Sequence, residues 1–186
     1  MHIGESKSVG PVRHHPMHNC LSLILRILTA GATAAAVVVM IEATQTVATP
    51  RGPHTARWRD FPAFKWFIVA NSVAFVYAAL ATCVSCLSLC TRRGPLSYRR
   101  TAWLTFFVDF AMAGALMSAG SAALAVSWIG KHGQSSAQWY AVCPLVTKFC
   151  DYVQGALIAC LCAWVFMALS TIVAVSALHN LASHRI

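Results

Sequence analysis

The chain has 186 residues, of which 58% are hydrophobic and 10% are charged, and its net charge is +9. Soluble domains carry about 25% charged residues, so this composition excludes an ordinary soluble domain and indicates a membrane protein. The positive charge does not indicate nucleic-acid binding. Lys and Arg are concentrated in the polar intervals between apolar runs, where membrane topology and anionic lipid head groups account for them.

The chain begins with a polar stretch, residues 1–19, that has no apolar period and is predicted to be a disordered N-terminal tail. Its histidines have no acid or thiol spaced with them to complete a site, so no metal or cofactor is expected. The first apolar run, 20–41, is predicted to be a retained span rather than a cleaved signal peptide, because Arg26 adjoins a long hydrophobic segment. Small residues recur on this run at four-residue spacing, which suits close helix packing. They are Ala30 with Ala34, and Gly31 with Ala35.

Residues 49–63 contain three prolines and are predicted to form a short loop without regular structure. The second span is predicted at 64–90, and three cysteines near its end have the spacing of one helix face. These cysteines are Cys83, Cys86 and Cys90. The simplest interpretation is that they are small apolar side chains in a helix. A second interpretation is S-acylation near the membrane surface.

The connector after the second span carries four arginines between residues 92 and 100 and no acid. Such density predicts the cytoplasmic side. The third span is predicted at 102–129 and the fourth at 152–178, so 20–180 forms one membrane domain and 181–186 a short C-terminal tail. With four spans, both termini are predicted to be cytoplasmic. The predicted fold class is an all-α membrane protein, a four-transmembrane-helix bundle.

Two charged residues lie inside apolar runs, where an unpaired charge costs several kcal/mol. Arg26 is six residues past the start of the first span, and Asp109 is seven residues past the start of the third. At about 1.5 Å of rise per residue, each lies ~10 Å inside its helix. If both helices start on the same side, the two charges lie at matching depth. The sequence therefore predicts an intramembrane ion pair.

The polar loop between the third and fourth spans carries Cys143 and Cys150. The predicted topology places this loop on the oxidising side of the membrane, so a disulfide between the two is expected. Such a bridge would hold Trp139 and Tyr140 in a fixed position. These aromatics are interpreted either as a patch that docks a partner or as side chains packed on the bilayer surface.

Four stretches of the sequence resemble the Casparian strip membrane domain protein-like family of plants, which are four-span relatives of the MARVEL domain. The stretches are LRILTAGATAAAVVVM with Arg26, FPAFKWFIVANSVAFVYAAL, DFAMAGALMSAGSAALA with Asp109, and WYAVCPLVTKFCDYV. The resemblance implies plasma-membrane residence, cytoplasmic termini, and assembly with copies of itself or with relatives. It also implies a possible link to enzymes that modify the cell wall. The extended first-loop signature of the strip-forming members is not found in the short, basic segment 49–63.

Three functions are open at this point. The leading hypothesis is a non-enzymatic scaffold that self-associates and organises a membrane domain, because no GxSxG, HExxH, P-loop or paired-carboxylate motif appears. A membrane thiol oxidoreductase would use Cys83 and Cys86, with Cys143 and Cys150 as its second pair. A small channel or transporter would use the Arg26 and Asp109 pair as an ion route, with polar residues of the second span lining it. Those lining candidates are Asn71 and Tyr77.

Overall fold

The computed structural model describes residues 16–49, 52–90 and 99–183, and it describes side chains over 20–48, 52–87 and 103–176. Within these ranges, 4 helices are long and apolar enough to cross a membrane. They are α1 (Pro16–Glu42), α2 (Pro62–Cys90), α3 (Arg99–His132) and α4 (Thr147–Ser183). The prediction of a four-helix membrane protein is confirmed.

The helices are longer than the spans predicted from hydrophobicity. They contain 27, 29, 34 and 37 residues, whereas about 20 apolar residues cross the hydrocarbon core. The added turns extend the helices into the polar interface. As a result, α1 begins inside the predicted tail 1–19, and α4 continues into the predicted tail 181–186. The rest of both tails lies outside the described residues.

Proline marks where two of the helices begin. Pro16 is the first residue of α1 and Pro62 is the first residue of α2. The ring fixes the backbone angle that a first helical turn needs, and its missing N–H has no intrahelical partner to lose at that position. Pro62, which was interpreted as a loop residue, therefore starts the second span.

The helices form a ring in which neighbours in sequence are neighbours in space. Helix α1 packs on α2 and α4, and α3 also packs on α2 and α4. The α2–α3 pair has the sparsest contact of these four neighbouring pairs. Helices α1 and α3 run from one end of the bundle, whereas α2 and α4 run back. We call the end that holds Cys90 and Arg99 the connector end, and the opposite end the hairpin end.

Small side chains fill much of the core where the helices meet. This composition permits close approach of the backbones, which drives association in a membrane. Buried alanines from all four helices include Ala36, Ala74, Ala119, Ala123, Ala156 and Ala163. The small-residue faces predicted from spacing are used unevenly. On the first span, Gly31 and Ala35 face outward, whereas Ala30 and Ala34 are partly buried.

The segment between α1 and α2 is regular, and the prediction of an irregular loop at 49–63 is wrong. A hairpin is formed by antiparallel strands β1 (Thr44–Thr49) and β2 (Gly52–Arg57), and a 3-10 turn, Trp58–Asp60, follows it. The β-branched residues Thr44, Thr46, Val47 and Thr49 of β1 favour a strand. Pro53 does not prevent pairing because each strand of a two-stranded hairpin is an edge strand, where a missing donor is tolerated.

The hairpin and the α3–α4 loop meet at the hairpin end. The Gln45 side-chain oxygen accepts a hydrogen bond from the backbone N–H of Phe149 at 3.1 Å. Phe149 also packs against Phe61 and Phe64, with ring centroids 6.4 and 6.2 Å away. The connections α1–α2 and α3–α4 therefore form one layer over the bundle.

Candidate functional site

A polar cluster of three side chains lies inside the bundle near the connector end. Nη2 of Arg26 is 3.1 Å from Oδ2 of Asp109. The hydroxyl of Tyr77 donates to the other carboxylate oxygen of Asp109, and Nη1 of Arg26 donates to the Tyr77 oxygen at 3.5 Å. Asp109 is fully buried, and the Arg26 side chain is 8% exposed.

The cluster connects three helices, and its two charges come from helices on opposite sides of the ring. Arg26 belongs to α1 and Asp109 to α3, and both helices start from the connector end. The long side chain of Arg26 crosses the bundle centre to reach Asp109. Tyr77 belongs to α2, the helix that packs on both α1 and α3. The guanidinium carbon of Arg26 is 5.8 Å from the centre of the Tyr77 ring, a distance at which cation and aromatic face attract.

Tyr77 was singled out in the sequence as a polar lining residue, and its contact with Asp109 was missed. A phenol in an apolar run needs a partner when it is buried. Counting residues from the start of each span does not show that Tyr77 lies at the depth of Asp109. Helix α2 runs in the opposite direction, so its exact length and end point decide which of its residues reaches Asp109. The sequence shows a hydroxyl group inside an apolar run, but it does not show that Asp109 is its partner.

Beyond the cluster, toward the hairpin end, the bundle centre is packed. Met40, Phe67 and Leu116 are fully buried there. The hydroxyls of Thr29 and Thr33 donate to the carbonyls of Leu25 and Thr29, each at 2.8 Å, within α1 itself. The cluster is therefore separated from the hairpin end by apolar side chains and by hydroxyls whose hydrogens are already used.

A second polar contact crosses the ring between α2 and α4. The Asn71 amide donates to the Phe67 carbonyl at 2.9 Å and to the Cys160 sulfur at 3.5 Å. The Asn71 side-chain oxygen is buried without a hydrogen-bond partner among the described residues. This contact lies deeper in the core than the charged cluster and does not touch it.

The cysteines of the two predicted thiol pairs lie at opposite ends of the bundle. Cys83 and Cys86 are exposed free thiols on the last turns of α2. The side chain of Cys90 lies outside the described side chains. At the other end of the bundle, the sulfurs of Cys143 and Cys150 are bonded, with Cα atoms 5.8 Å apart. Across the part of the chain that the structure describes, no group of three or more His, Cys, Asp or Glu side chains is placed to hold a metal ion.

The two aromatics of the α3–α4 loop point away from the protein. Trp139 is 60% exposed and Tyr140 is 88% exposed. Other exposed apolar side chains at this end of the bundle are Trp128, Val142 and Leu145. Gly133, at a φ of 70°, turns the chain after α3, and a Cβ there would meet the Trp139 carbonyl oxygen at 2.7 Å.

Comparison with known proteins identifies relatives of this chain. Residues 16–166 match the Casparian strip membrane protein domain. The chain belongs to this family. CASP-like protein 1U3 of Physcomitrium patens is 69% identical over 96% of this chain and 94% of its own. CASP-like protein 1U1 of the same moss is 59% identical, over 89% and 85%. No solved structure matches.

A more distant CASP-like protein covers about three quarters of the chain. CASP-like protein 1C1 of Arabidopsis thaliana is 36% identical over 74% of this chain and 77% of its own length. The chain is therefore a multi-pass membrane protein of the CASP-like family. The matched region includes all three residues of the charged cluster and both cysteines of the α3–α4 loop.

We predict that neutralising either charge of this CASP-like protein destabilises it strongly. Asp109→Asn and Arg26→Gln each leave the other charge buried without its partner, which costs about 3–5 kcal/mol. The exchange of Arg26→Asp with Asp109→Arg is expected to restore part of this loss. Unfolding in detergent micelles and delivery to the cell surface measure both effects.

Two matched substitutions serve as controls for this prediction. Asp151→Asn removes an exposed carboxylate at the start of α4 and is expected to change stability by less than about 0.5 kcal/mol. Tyr77→Phe removes a hydrogen bond to a charged group and should cost about 1–3 kcal/mol, whereas Tyr152→Phe at an exposed position should cost almost nothing. Single charge variants that unfold like the wild type would contradict a structural pair.

We predict that the Cys143–Cys150 bridge forms in the membrane protein. The two cysteines are separated by 7 positions in the sequence. A bridge that closes so short a loop lowers the entropy of the unfolded chain and raises the free energy of unfolding by about 2.5 kcal/mol. Replacing both cysteines by serine should lower stability by an amount of that order, whereas Cys162→Ser at an exposed free thiol should not. Mass spectrometry of unreduced peptides detects the bridge directly, and free alkylation of both cysteines without reduction argues against it.

Proposed function

We propose that this protein is a structural scaffold that self-associates in the plasma membrane and organises a membrane domain. The observation that supports this most is that Arg26, Asp109 and Tyr77 bond to one another and thereby connect three helices. The cluster then has a structural role, and the outward surfaces of the helices are available for contacts between copies. A link to enzymes that modify the cell wall belongs to the same proposal.

A transport function finds less support in the arrangement of the bundle. A conduit through the cluster would need polar groups or water on both sides of it. Toward the hairpin end, the hydroxyls of Thr29 and Thr33 are bonded to carbonyls of their own helix, and Met40, Phe67 and Leu116 are buried farther on. Asn71 and Tyr77, the candidate lining residues, are not in contact with each other, because Asn71 is directed to Cys160 and Tyr77 to Asp109. The packing favours an architectural role for the pair.

A thiol oxidoreductase also finds less support, because its two cysteine pairs lie at opposite ends of the bundle. Cys83 and Cys86 are near the connector end, whereas Cys143 and Cys150 follow the far end of α3. Helix α3 has 34 residues, which corresponds to about 50 Å of length. Direct thiol–disulfide exchange requires contact between sulfurs, so the two pairs cannot exchange without a carrier.

Two outward positions on the helices fit association between copies. Gly31 lies on the exposed face of α1 with Ala35, and Gly114 lies on the exposed face of α3 with Ala111 and Ser118. Nothing lies within 4 Å of a Cβ built on either glycine. Small residues at such positions allow a second helix to approach closely in the membrane.

The proposed orientation places the connector end in the cytoplasm and the hairpin end outside. The four arginines of 92–100 support the first part, and the bonded cysteines of the α3–α4 loop support the second. In this orientation Trp139 and Tyr140 face the cell wall. They are a candidate docking surface for partners, and packing against the outer bilayer surface remains the competing interpretation.

We predict that an N-glycosylation acceptor inserted into the connector, residues 91–98, remains unmodified. The same acceptor inserted at residues 135–137 of the α3–α4 loop should be glycosylated, because that loop enters the secretory lumen. Electrophoretic mobility with and without glycosidase gives the answer. Glycosylation of the connector would reverse the orientation.

We predict that the tagged wild-type protein recovers slowly after photobleaching in its native membrane. Gly31→Leu or Gly114→Leu should speed recovery and lower the number of copies per spot in single-molecule counting. The added side chain blocks a second helix, and its Cβ has no atom of another helix within 4 Å.

The control for added bulk is Val69→Leu, on the exposed face of α2, where large side chains already lie and no effect is expected. Free diffusion and an even distribution of the wild-type protein would rule out the scaffold.

A further inference from the structure

A cavity of about 320 Å³ opens between the four helices at the connector end. This is about twice the volume of an apolar cavity that holds benzene. Arg26 and Tyr77 line its inner end, and Leu80, Val84, Leu104 and Val173 are among the apolar residues of its walls. It lies on the side of the charged cluster that faces the connector end, opposite the packed centre.

The inner end of the cavity presents a cation and not its partner. Asp109 does not line the cavity and is fully buried behind Arg26 and Tyr77. The guanidinium has five N–H donors, and hydrogen bonds to described residues involve only Tyr77 and Asp109. Further donors of Arg26 are therefore available to a group that enters the cavity. That group must be an acceptor, and an oxyanion fits best.

The opening of the cavity lies on the side of α2 and α3. Its lining residues on these helices include Leu80, Val84 and Leu104, which are 61%, 53% and 64% exposed. By contrast, the lining residues Arg26, Ser170 and Ala174 of α1 and α4 are buried. Because α2 and α3 also have the sparsest contact of the neighbouring pairs, the cavity is reached from the surrounding bilayer between these two helices.

The depth of Arg26 brings it within reach of a lipid head group. Arg26 lies 16 residues before Glu42, the last residue of α1, which corresponds to about 24 Å along the helix. The hydrocarbon core is about 30 Å thick. With Glu42 at one boundary, Arg26 is only about 6 Å inside the other. The glycerol and phosphate of a lipid in the connector-end leaflet lie next to this level.

The charge of the sequence at this end favours an acidic ligand. Helix α3 begins with Arg99 and Arg100, and Arg92 and Arg93 precede them in the connector. Basic residues at a membrane surface attract anionic lipids, and basic pockets between membrane helices bind their head groups.

We propose that this cavity binds one acidic phospholipid from the leaflet at the connector end. Its phosphate oxygens accept hydrogen bonds from Arg26, and the upper part of an acyl chain lies along the apolar side chains between α2 and α3. The site is independent of self-association, because none of its lining residues belongs to the exposed glycine positions of α1 and α3.

The test uses the purified full chain in neutral detergent micelles. Native mass spectrometry counts the molecules of dioleoyl phosphatidic acid bound to each chain. Dioleoyl phosphatidylcholine and inorganic phosphate are measured at the same concentration for comparison. We expect one phosphatidic acid per chain, bound about tenfold or more tightly than phosphatidylcholine. The phosphate of phosphatidic acid has more free oxygens for charge-assisted contacts and a net negative charge, whereas the choline of phosphatidylcholine blocks one oxygen and cancels the charge. Equal retention of phosphatidylcholine, or full competition by inorganic phosphate, would overturn the proposal.

Cavity-filling variants locate the site. Ala81→Phe places a ring in the cavity from α2 and leaves Arg26, Asp109 and Tyr77 intact, so bound phosphatidic acid should fall about tenfold or more. Val69→Phe, on the exposed face of α2 away from the cavity, is the matched control and should retain the lipid. If Ala81→Phe does not fold, Thr105→Leu fills the cavity from α3. Unchanged retention in a folded filling variant excludes this cavity as the binding site.

Discussion

The contact of Arg26 with Asp109 determines how the four helices are arranged around the bundle centre. In hydrocarbon a lone charge is costly, whereas a contacting pair with further hydrogen bonds is tolerated. Because the two residues come from helices on opposite sides of the ring, their contact requires α1 and α3 to have a defined rotation and relative height. Tyr77 then defines the rotation of α2, since its hydroxyl reaches the same carboxylate. Packing of small residues alone would permit several rotations of similar energy.

Helix α4 is oriented by different means. It does not contribute to the charged cluster. Its Cys160 contacts Asn71 of α2, the helix on the opposite side of the ring. Gly155 of α4 lies close to α1, since a Cβ built on this glycine would be 3.6 Å from the Val39 side chain. At the hairpin end, Phe149 is held by Gln45 and by the aromatic side chains around it. The polar contacts thus define helix order, while small residues and the layer over the hairpin end define how closely the helices approach.

The sequence predicted the parts of this structure that depend on one segment at a time. Hydrophobic length identified four spans, and the rarity of a charge in such spans identified Arg26 and Asp109 as partners. The hairpin was missed because three prolines were given more weight than the β-branched residues of β1. The contact of Tyr77 and the cavity were missed for another reason. Both depend on the directions and separations of several helices, and no local pattern contains those quantities.

Pro53 has a consequence for how closely such proteins can be crowded together. Among the described residues, each strand of the hairpin pairs with one other strand, and strands at the edge of a sheet tend to recruit strands of neighbouring molecules. Pro53 has no N–H, and each strand has only 6 residues, so β2 offers an interrupted and short ladder of donors. A dense array of these proteins would therefore bring its hairpins side by side without converting them into a continuous intermolecular sheet. In such an array, contacts between membrane helices would determine how neighbouring molecules are arranged, and the association would be reversible.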